Sequence, residues 1–191
     1  MFIPSWYRKL KRGPQVILPK DIGMVLAYTG VGHESRCLDA GTGSGWLAAA
    51  LANVAKEVVS YDLREDFIAI AEKNKKIKCL DNLKLKHGDI CESEETDMDL
   101  VTLDLPNSEL AIPRAANALK EGGHIFGYMP HTEQVKKFAE ALEENGFEEI
   151  NTFETIVRDM LVRKEGVRPS TKGVWHTGYL VFARKRMTGP R

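Results

Sequence analysis

No run of apolar residues in this chain approaches the ~18 needed to cross a bilayer. The N-terminus, MFIPSWYRKLKRG, is basic but has no apolar stretch behind it, so it does not read as a secretion signal. Cysteine is scarce, with only Cys37, Cys79 and Cys91. An odd number at spacings that suit no zinc site excludes a disulfide framework or a zinc ribbon as the organising device. A reduced, cytoplasmic protein is expected, with Cys37 in the core. Internal repeats and low-complexity segments are also missing, which excludes solenoids and disordered tails. Net charge is missing too: 27 Lys and Arg balance 27 Asp and Glu. Taken alone, that balance argues against a protein built to grip nucleic acid.

What remains is an ordinary globular composition. The 191 residues are 43% hydrophobic and 28% charged, enough for one domain with a sizeable core. The zero balance hides a pattern. Residues 1–20 carry +5, residues 21–156 carry −12 and residues 157–191 carry +7. Residues 1–18 are read as a basic N-terminal arm and residues 19–191 as a single catalytic-sized domain.

Periodicity along the chain predicts alternating elements. Helical spacing covers 19–31, 44–56, 64–80, 108–120 and 131–146. Strand patterns cover 35–41, 57–62, 83–90, 99–106, 123–130, 147–158 and 174–185, with a basic loop over 159–173. Strand–helix alternation through five strands implies a parallel sheet with helices on both faces. The last two strands have no helix between them and are expected to pair as an antiparallel hairpin at one edge. The fold class is therefore α/β, a seven-stranded, mostly parallel sheet of the class I methyltransferase type (Rossmann-like).

The sharpest motif is LDAGTGSGW over 38–46, lying between a strand and a helix. Gly41, Gly43 and Gly45 allow a tight turn and close approach of a ligand to the backbone. The dinucleotide fingerprint G-x-G-x-x-G would need glycine at position 46, where Trp46 stands instead; that tryptophan reads as core or as a wall of the site. Asp39, two residues before the loop, would repel a pyrophosphate but suits the ammonium of S-adenosyl-L-methionine. Asp62 ends the second strand, twenty-one residues after Gly41, where an acid meets ribose hydroxyls. Gly88-Asp89 ends the third strand, placing Asp89 for the adenine amino group, and Asp104 ends the fourth. Any one of these aspartates is more often a turn or cap residue than a ligand. Four at carboxyl ends of parallel strands, with the glycine loop, reverse that balance. His33, His87 and His124 read as surface or turn residues, and no metal site is expected.

These residues carry a resemblance. RGPQVILPKD, LDAGTGSG, SYDLREDF, LDLP, YMPHTEQV, and RP followed by HTGYLVFAR resemble the tRNA (adenine-N1)-methyltransferases that modify the T-loop, from about Arg12 to Lys185. The glycine loop and LDLP recur in variant forms across many methyltransferases; the Q-x-x-x-PKD block and HTGYLVFAR are far more specific. The resemblance implies that Gln15 and the PKD block line the cofactor site. Gly41, Thr42, Gly43, Ser44 and Gly45 would hold the methionine part. Asp62 would bind ribose with Leu63 and Arg64 beside it, and Asp89 would contact adenine. Asp104 matches the catalytic aspartate, also facing the cofactor, and Tyr128 matches an aromatic residue near the target base. The implied substrate is the T-loop adenine at position 58 of tRNA, with 57 as a second candidate, and the implied assembly is a homo-oligomer, a tetramer. Two departures stand out. About eleven residues precede Arg12 where relatives carry a β-rich domain, and LDLP is followed by NSEL rather than Pro-Trp.

Chemically, adenine N1 already has a lone pair and needs no strong base, while methylation leaves the ring positive. A carboxylate at the N6 amino group would stabilise that charge, and Asp104 is the candidate. Tyr128 could stack on an extruded base. Two rival readings stay open: a methyltransferase of the same fold for a small molecule, such as a corrinoid precursor, or for another RNA or protein; and a cofactor-binding subunit that needs a partner. The intact glycine loop, Asp62 and Asp104 oppose an inactive subunit. The PKD and HTGYLVFAR blocks oppose the small molecule.

Overall fold

The computed structural model describes residues 3–13 and 15–189. Its centre is a sheet of seven strands: β1 (Arg36–Ala40), β2 (Glu57–Asp62), β3 (Leu83–His87), β4 (Met98–Leu103), β5 (Leu119–Met129), β6 (Phe147–Phe153) and β9 (Tyr179–Lys185). They lie in the order β3-β2-β1-β4-β5-β9-β6. The first five are parallel, and β9 runs antiparallel to both neighbours. This is the expected class I methyltransferase sheet.

The helices are α1 (Ser5–Arg8), α2 (Pro19–Thr29), α3 (Trp46–Ala52), α4 (Glu65–Lys78), α5 (Ile112–Ala118) and α6 (Thr132–Glu144). Strands covered on both sides must be apolar in consecutive positions. Successive side chains of each strand therefore feed different cores. Cys37, Val58, Leu100, Phe126 and Phe182 join α2 and α3 on one face. Leu38, Val59, Val101, Ile125 and Val181 join α5 and α6 on the other. Cys37 is fully buried, as its apolar setting implied.

Three local features refine the sequence reading and have physical causes. First, the expected antiparallel pair stands at the edge, with β9 between β5 and β6 and β6 outermost, a placement the sequence reading left open. Second, the basic segment between them holds a small hairpin, β7 (Met160–Arg163) and β8 (Gly166–Pro169), paired only with each other. Its dense lysines and arginines masked the alternation of β-formers that pairs it. Third, the helix expected over 108–120 is a short 3-10 turn, Ser108–Ala111, followed by α5, whose first turn accommodates Pro113.

The segment before α2 is docked on the domain. Tyr7, Leu10 and Ile17 are buried. The Tyr7 hydroxyl donates to the Trp46 carbonyl at 2.8 Å. Asn74, on α4 and 1% exposed, is the tie. It accepts from the Lys11 amide and donates to the carbonyls of Lys11 and Ser44, all at 2.8 Å. One side chain thus holds the N-terminal segment against the glycine loop. Asn74→Ala should leave the Lys11 amide and the Ser44 carbonyl without this partner, cost about 2 kcal/mol and lower Tm by roughly 4–8 °C in thermal denaturation; an unchanged Tm would show that the tie carries no weight.

Candidate functional site

The sheet reverses its order between β1 and β4, and the crevice outside their carboxyl ends is where open α/β sheets bind ligands. The loop of residues 41–45 leaves β1 there. Gly41 has φ +86°, and a Cβ on it would lie 2.1 Å from the carbonyl oxygen of Asp104. No other residue fits without parting the two strand ends. The Gly41 and Thr42 amides donate to the Tyr61 carbonyl, and the Asp104 amide donates to the Ala40 carbonyl at 2.9 Å. Gly45, also left-handed at φ +78°, caps α3.

Asp39 lies beneath this loop, 2% exposed. Ser60 on β2 and Thr102 on β4 are its direct lateral partners in the sheet. Both hydroxyls donate to its carboxylate at 2.5 Å. The Ser60 hydroxyl is 2.6 Å from that of Thr42, so the chain of contacts ends in the glycine loop. Burial pushes the Asp39 carboxyl up to about 6, against the two hydroxyls that hold its charged form. Asp62 clasps the loop from the other side. Its Oδ2 accepts from the Gly43 amide at 2.7 Å and its Oδ1 from the Arg64 amide at 2.9 Å. Each oxygen keeps a further lone pair for a ribose hydroxyl.

Gln15, Thr42, Gly43, Ser44, Trp46 and Asp104 line one crevice. Asp104 presents its side chain to the solvent in it. The crowding of the crevice walls raises its carboxyl to about 7, helped by the negative charges of Asp39 and Asp62. Water on its open side works against that shift. Ser44 Oγ is buried and has no hydrogen-bond partner among the described residues. A hydroxyl left so beside a glycine cradle is suited to a polar ligand atom. Asp89 stands at the end of β3, where its Oδ1 accepts from the Cys91 amide at 2.9 Å. The Gly88 amide donates to the Asp62 carbonyl at 3.0 Å, which brings the ends of β2 and β3 together. The Leu63 side chain is 65% exposed beside them. Tyr128, near the end of β5, is half-buried, and its hydroxyl, raised to about 12 chiefly by burial, also feels the charges of Asp21 and Asp104.

Several residues of this site escaped the sequence reading. Ser60 and Thr102 are the only hydroxyls in the buried stretches EVVSYD and MDLVTL apart from Tyr61, a signal that could have found them. Thr155 and Thr177 also escaped it: they form a polar cluster next to Tyr128 with Lys20 and Asp21 of the PKD block, whose implied place was the lining of the cofactor site. Trp46 is both core and crevice wall, 7% exposed, with the Arg12 guanidinium 5.5 Å from its ring centroid.

Comparison with known proteins agrees with this geometry. A protein of Methanocaldococcus jannaschii named tRNA (adenine(57)-N(1)/adenine(58)-N(1))-methyltransferase TrmI is 38% identical, over 93% of this chain and 74% of its own. The crystal structure of Aquifex aeolicus tRNA (m1A58) methyltransferase TrmI superposes with a TM-score of 0.91 at 31% identity, covering 97% of this chain and 77% of that one. A Thermotoga maritima structure described as a SAM-dependent O-methyltransferase also reaches 0.91, at 32% identity, over 99% and 74%. The model of the tRNA methyltransferase complex GCD14 subunit family matches residues 4–169, and with the relatives above it shows that this chain belongs to that family.

Proposed function

We propose that this chain transfers the methyl group of S-adenosyl-L-methionine to N1 of adenine in the T-loop of tRNA, at position 58 and with 57 as a second site. The observation that carries the reading is Asp104. Its carboxylate opens into the crevice while its backbone is pressed against Gly41, at the strand junction where open α/β sheets bind ligands. When bound, the cofactor supplies a methyl group on a positively charged sulfur, ready for in-line displacement.

The remaining work falls to side chains. The amides of the 41–45 loop and the Ser44 hydroxyl hold the methionine part, with Gln15 above and Trp46 as a wall. Asp39 lies too deep to touch a ligand freely, so it favours the ammonium through its charge and through the Ser60–Thr42 contacts. Asp62 takes the ribose and Asp89 the adenine amino group, with Leu63 alongside. Asp104 accepts from the N6 amino group of the acceptor adenine, which opposes the positive charge that develops on the ring. Tyr128 packs on that base once it leaves its stack. Zero net charge does not oppose an RNA substrate, because the excess of positive charge is gathered at the two ends of the sequence. The β7–β8 hairpin exposes Val162 and Val167 to 77% and 62%, apolar surface that a homo-oligomer, a tetramer in this reading, would cover. The compartment in this reading is the cytoplasm, where tRNA and reduced cysteines coexist.

Three outcomes test the assignment. Asp104→Asn should lower kcat on unmodified tRNA by roughly 10²-fold while calorimetry shows little change in cofactor affinity. In the wild type the rate should rise with pH as the Asp104 carboxyl, raised to about 7, becomes charged, and this limb should vanish in the variant. Wild-type turnover by Asp104→Asn would remove the residue from catalysis. Asp62→Ala should instead weaken cofactor binding by about tenfold or more, the loss of charge-assisted hydrogen bonds; unchanged affinity rejects the ribose role. Because the Asp39 carboxyl is raised to about 6, its folded form holds a proton that a bound cation would expel. Cofactor affinity should therefore increase between pH 5 and pH 7, and Asp39→Asn should flatten that rise; an unaltered slope would place the linkage elsewhere.

A further inference from the structure

Lys20 and Asp21 begin α2 and take no part in the chemistry above. Their side chains are 5% and 0% exposed. Lys20 Nζ lies 2.7 Å from Asp21 Oδ1, 2.8 and 3.0 Å from the carbonyl and hydroxyl of Thr155, and 2.7 Å from the Thr177 hydroxyl. The Thr155 hydroxyl donates to Asp21 Oδ1, and the Thr177 hydroxyl donates to Oδ2 at 3.0 Å. A buried ion pair is a poor way to gain stability, since removing both charges from water costs about what their attraction returns. Its value lies in geometry: the three ammonium protons are shared among four acceptors, and both carboxylate oxygens of Asp21 accept from a threonine hydroxyl.

That geometry ends on Tyr128. Thr177 gives its proton to Asp21 and a lone pair to Lys20, so the ion pair fixes its position. The Tyr128 hydroxyl stands beside Thr177 and feels the Asp21 charge. The next residue, Gly178, lies against the ring: a Cβ there would sit 2.6, 2.9 and 3.0 Å from three ring carbons. Tyr128 thus meets Thr177 at its tip and the Gly178 backbone against its ring, and Asp104 acts on it from the crevice. We propose that the buried Lys20–Asp21 pair, acting through Thr177 and Gly178, is a positioning device that sets the Tyr128 ring at the crevice for the acceptor base. This deepens the reading of the chain as an adenine methyltransferase and rests on it. It also gives the PKD and HTG blocks, more than 150 residues apart in sequence, one shared task.

The test uses Thr177→Val, which removes only the hydroxyl, and Gly178→Ala, which pushes on the ring without touching the ion pair. Each is made alone and in a Tyr128→Ala background. Alone, each should lower kcat on tRNA by roughly 10-fold or more, the cost of misplacing a reacting partner, and leave cofactor affinity unchanged. In the Tyr128→Ala background neither should lower kcat further. Losses that multiply fully in both backgrounds would overturn the proposal, because a purely structural role acts whether or not Tyr128 is present. A second readout needs no methyl acceptor. Nitration of Tyr128 by tetranitromethane, located by mass spectrometry, should be slow in the wild type and several-fold faster in Thr177→Val and in Asp21→Asn. An unchanged nitration rate overturns the proposal by itself. Faster nitration together with a wild type inactive on tRNA would keep the mount and reject the substrate.

Discussion

The buried carboxylate of Asp39 is the constraint on which the site depends. Ser60, Asp39 and Thr102 stand side by side on β2, β1 and β4, two residues before the end of β2 and one before the ends of β1 and β4. The two hydroxyls bind the carboxylate from either side, which pins the lateral register of three parallel strands at the level where the crevice opens. A slip of one residue would turn all three polar groups into the opposite, wholly apolar core. Above this bridge the chain has almost no freedom. Gly41 meets the Asp104 carbonyl, the Asp104 amide meets the Ala40 carbonyl, and Asp62 holds the Gly43 amide. The position of Asp104 is therefore a consequence of strand register rather than of loop conformation.

That arrangement concentrates negative charge. Burial raises the proton affinity of Asp39 and Asp104, the charge of Asp62 adds to it at both, and that of Asp39 adds to it at Asp104. Such a cluster is costly in an isolated fold and becomes favourable when a cation enters. A sulfonium with an ammonium beside it is a cation of that kind, whereas a pyrophosphate would deepen the repulsion. The same electrostatics separate the two partners of the reaction. Acidic residues fill the middle of the chain, while Arg158, Arg163, Lys164, Arg168 and Lys172 are exposed on the segment that carries the β7–β8 hairpin. This segment is fastened beside the crevice, by Thr155 to Lys20 on one flank and by His176 to the Pro130 carbonyl on the other.

Much of this was legible from sequence because its signals are local. The glycine loop, Asp39 and Trp46 occupy nine consecutive residues, and Asp62, Asp89 and Asp104 each mark a strand end. Parallel strands buried on both faces read as short apolar runs, so the order of elements through β5 was plain. What escaped was long-range. Nothing near residues 179–185 says that β9 will slide between β5 and β6, since either placement satisfies an antiparallel pair. The β7–β8 hairpin escaped because its charged residues dominate its composition. Asp62 was read as a ligand, and in the structure it also braces the loop that would hold the same ligand.

The buried Lys20–Asp21 pair shows why local specificity and spatial meaning come apart. PKD and HTGYLVFAR were the two most specific blocks in the sequence, and neither carries an obvious chemical group for methyl transfer. Their partners lie 134–157 residues away along the chain. An ion pair removed from water is kept only where its partners are satisfied, and here they are satisfied by Thr155 and Thr177 together. That requirement couples the start of α2 to the two ends of the connection between β6 and β9. It follows that the inserted β9, which looks like a topological detail, is what delivers Thr177 and Gly178 to Tyr128. A hairpin at the sheet edge, with β6 next to β5, would have moved β9 away from β5 and left the tyrosine without its mount.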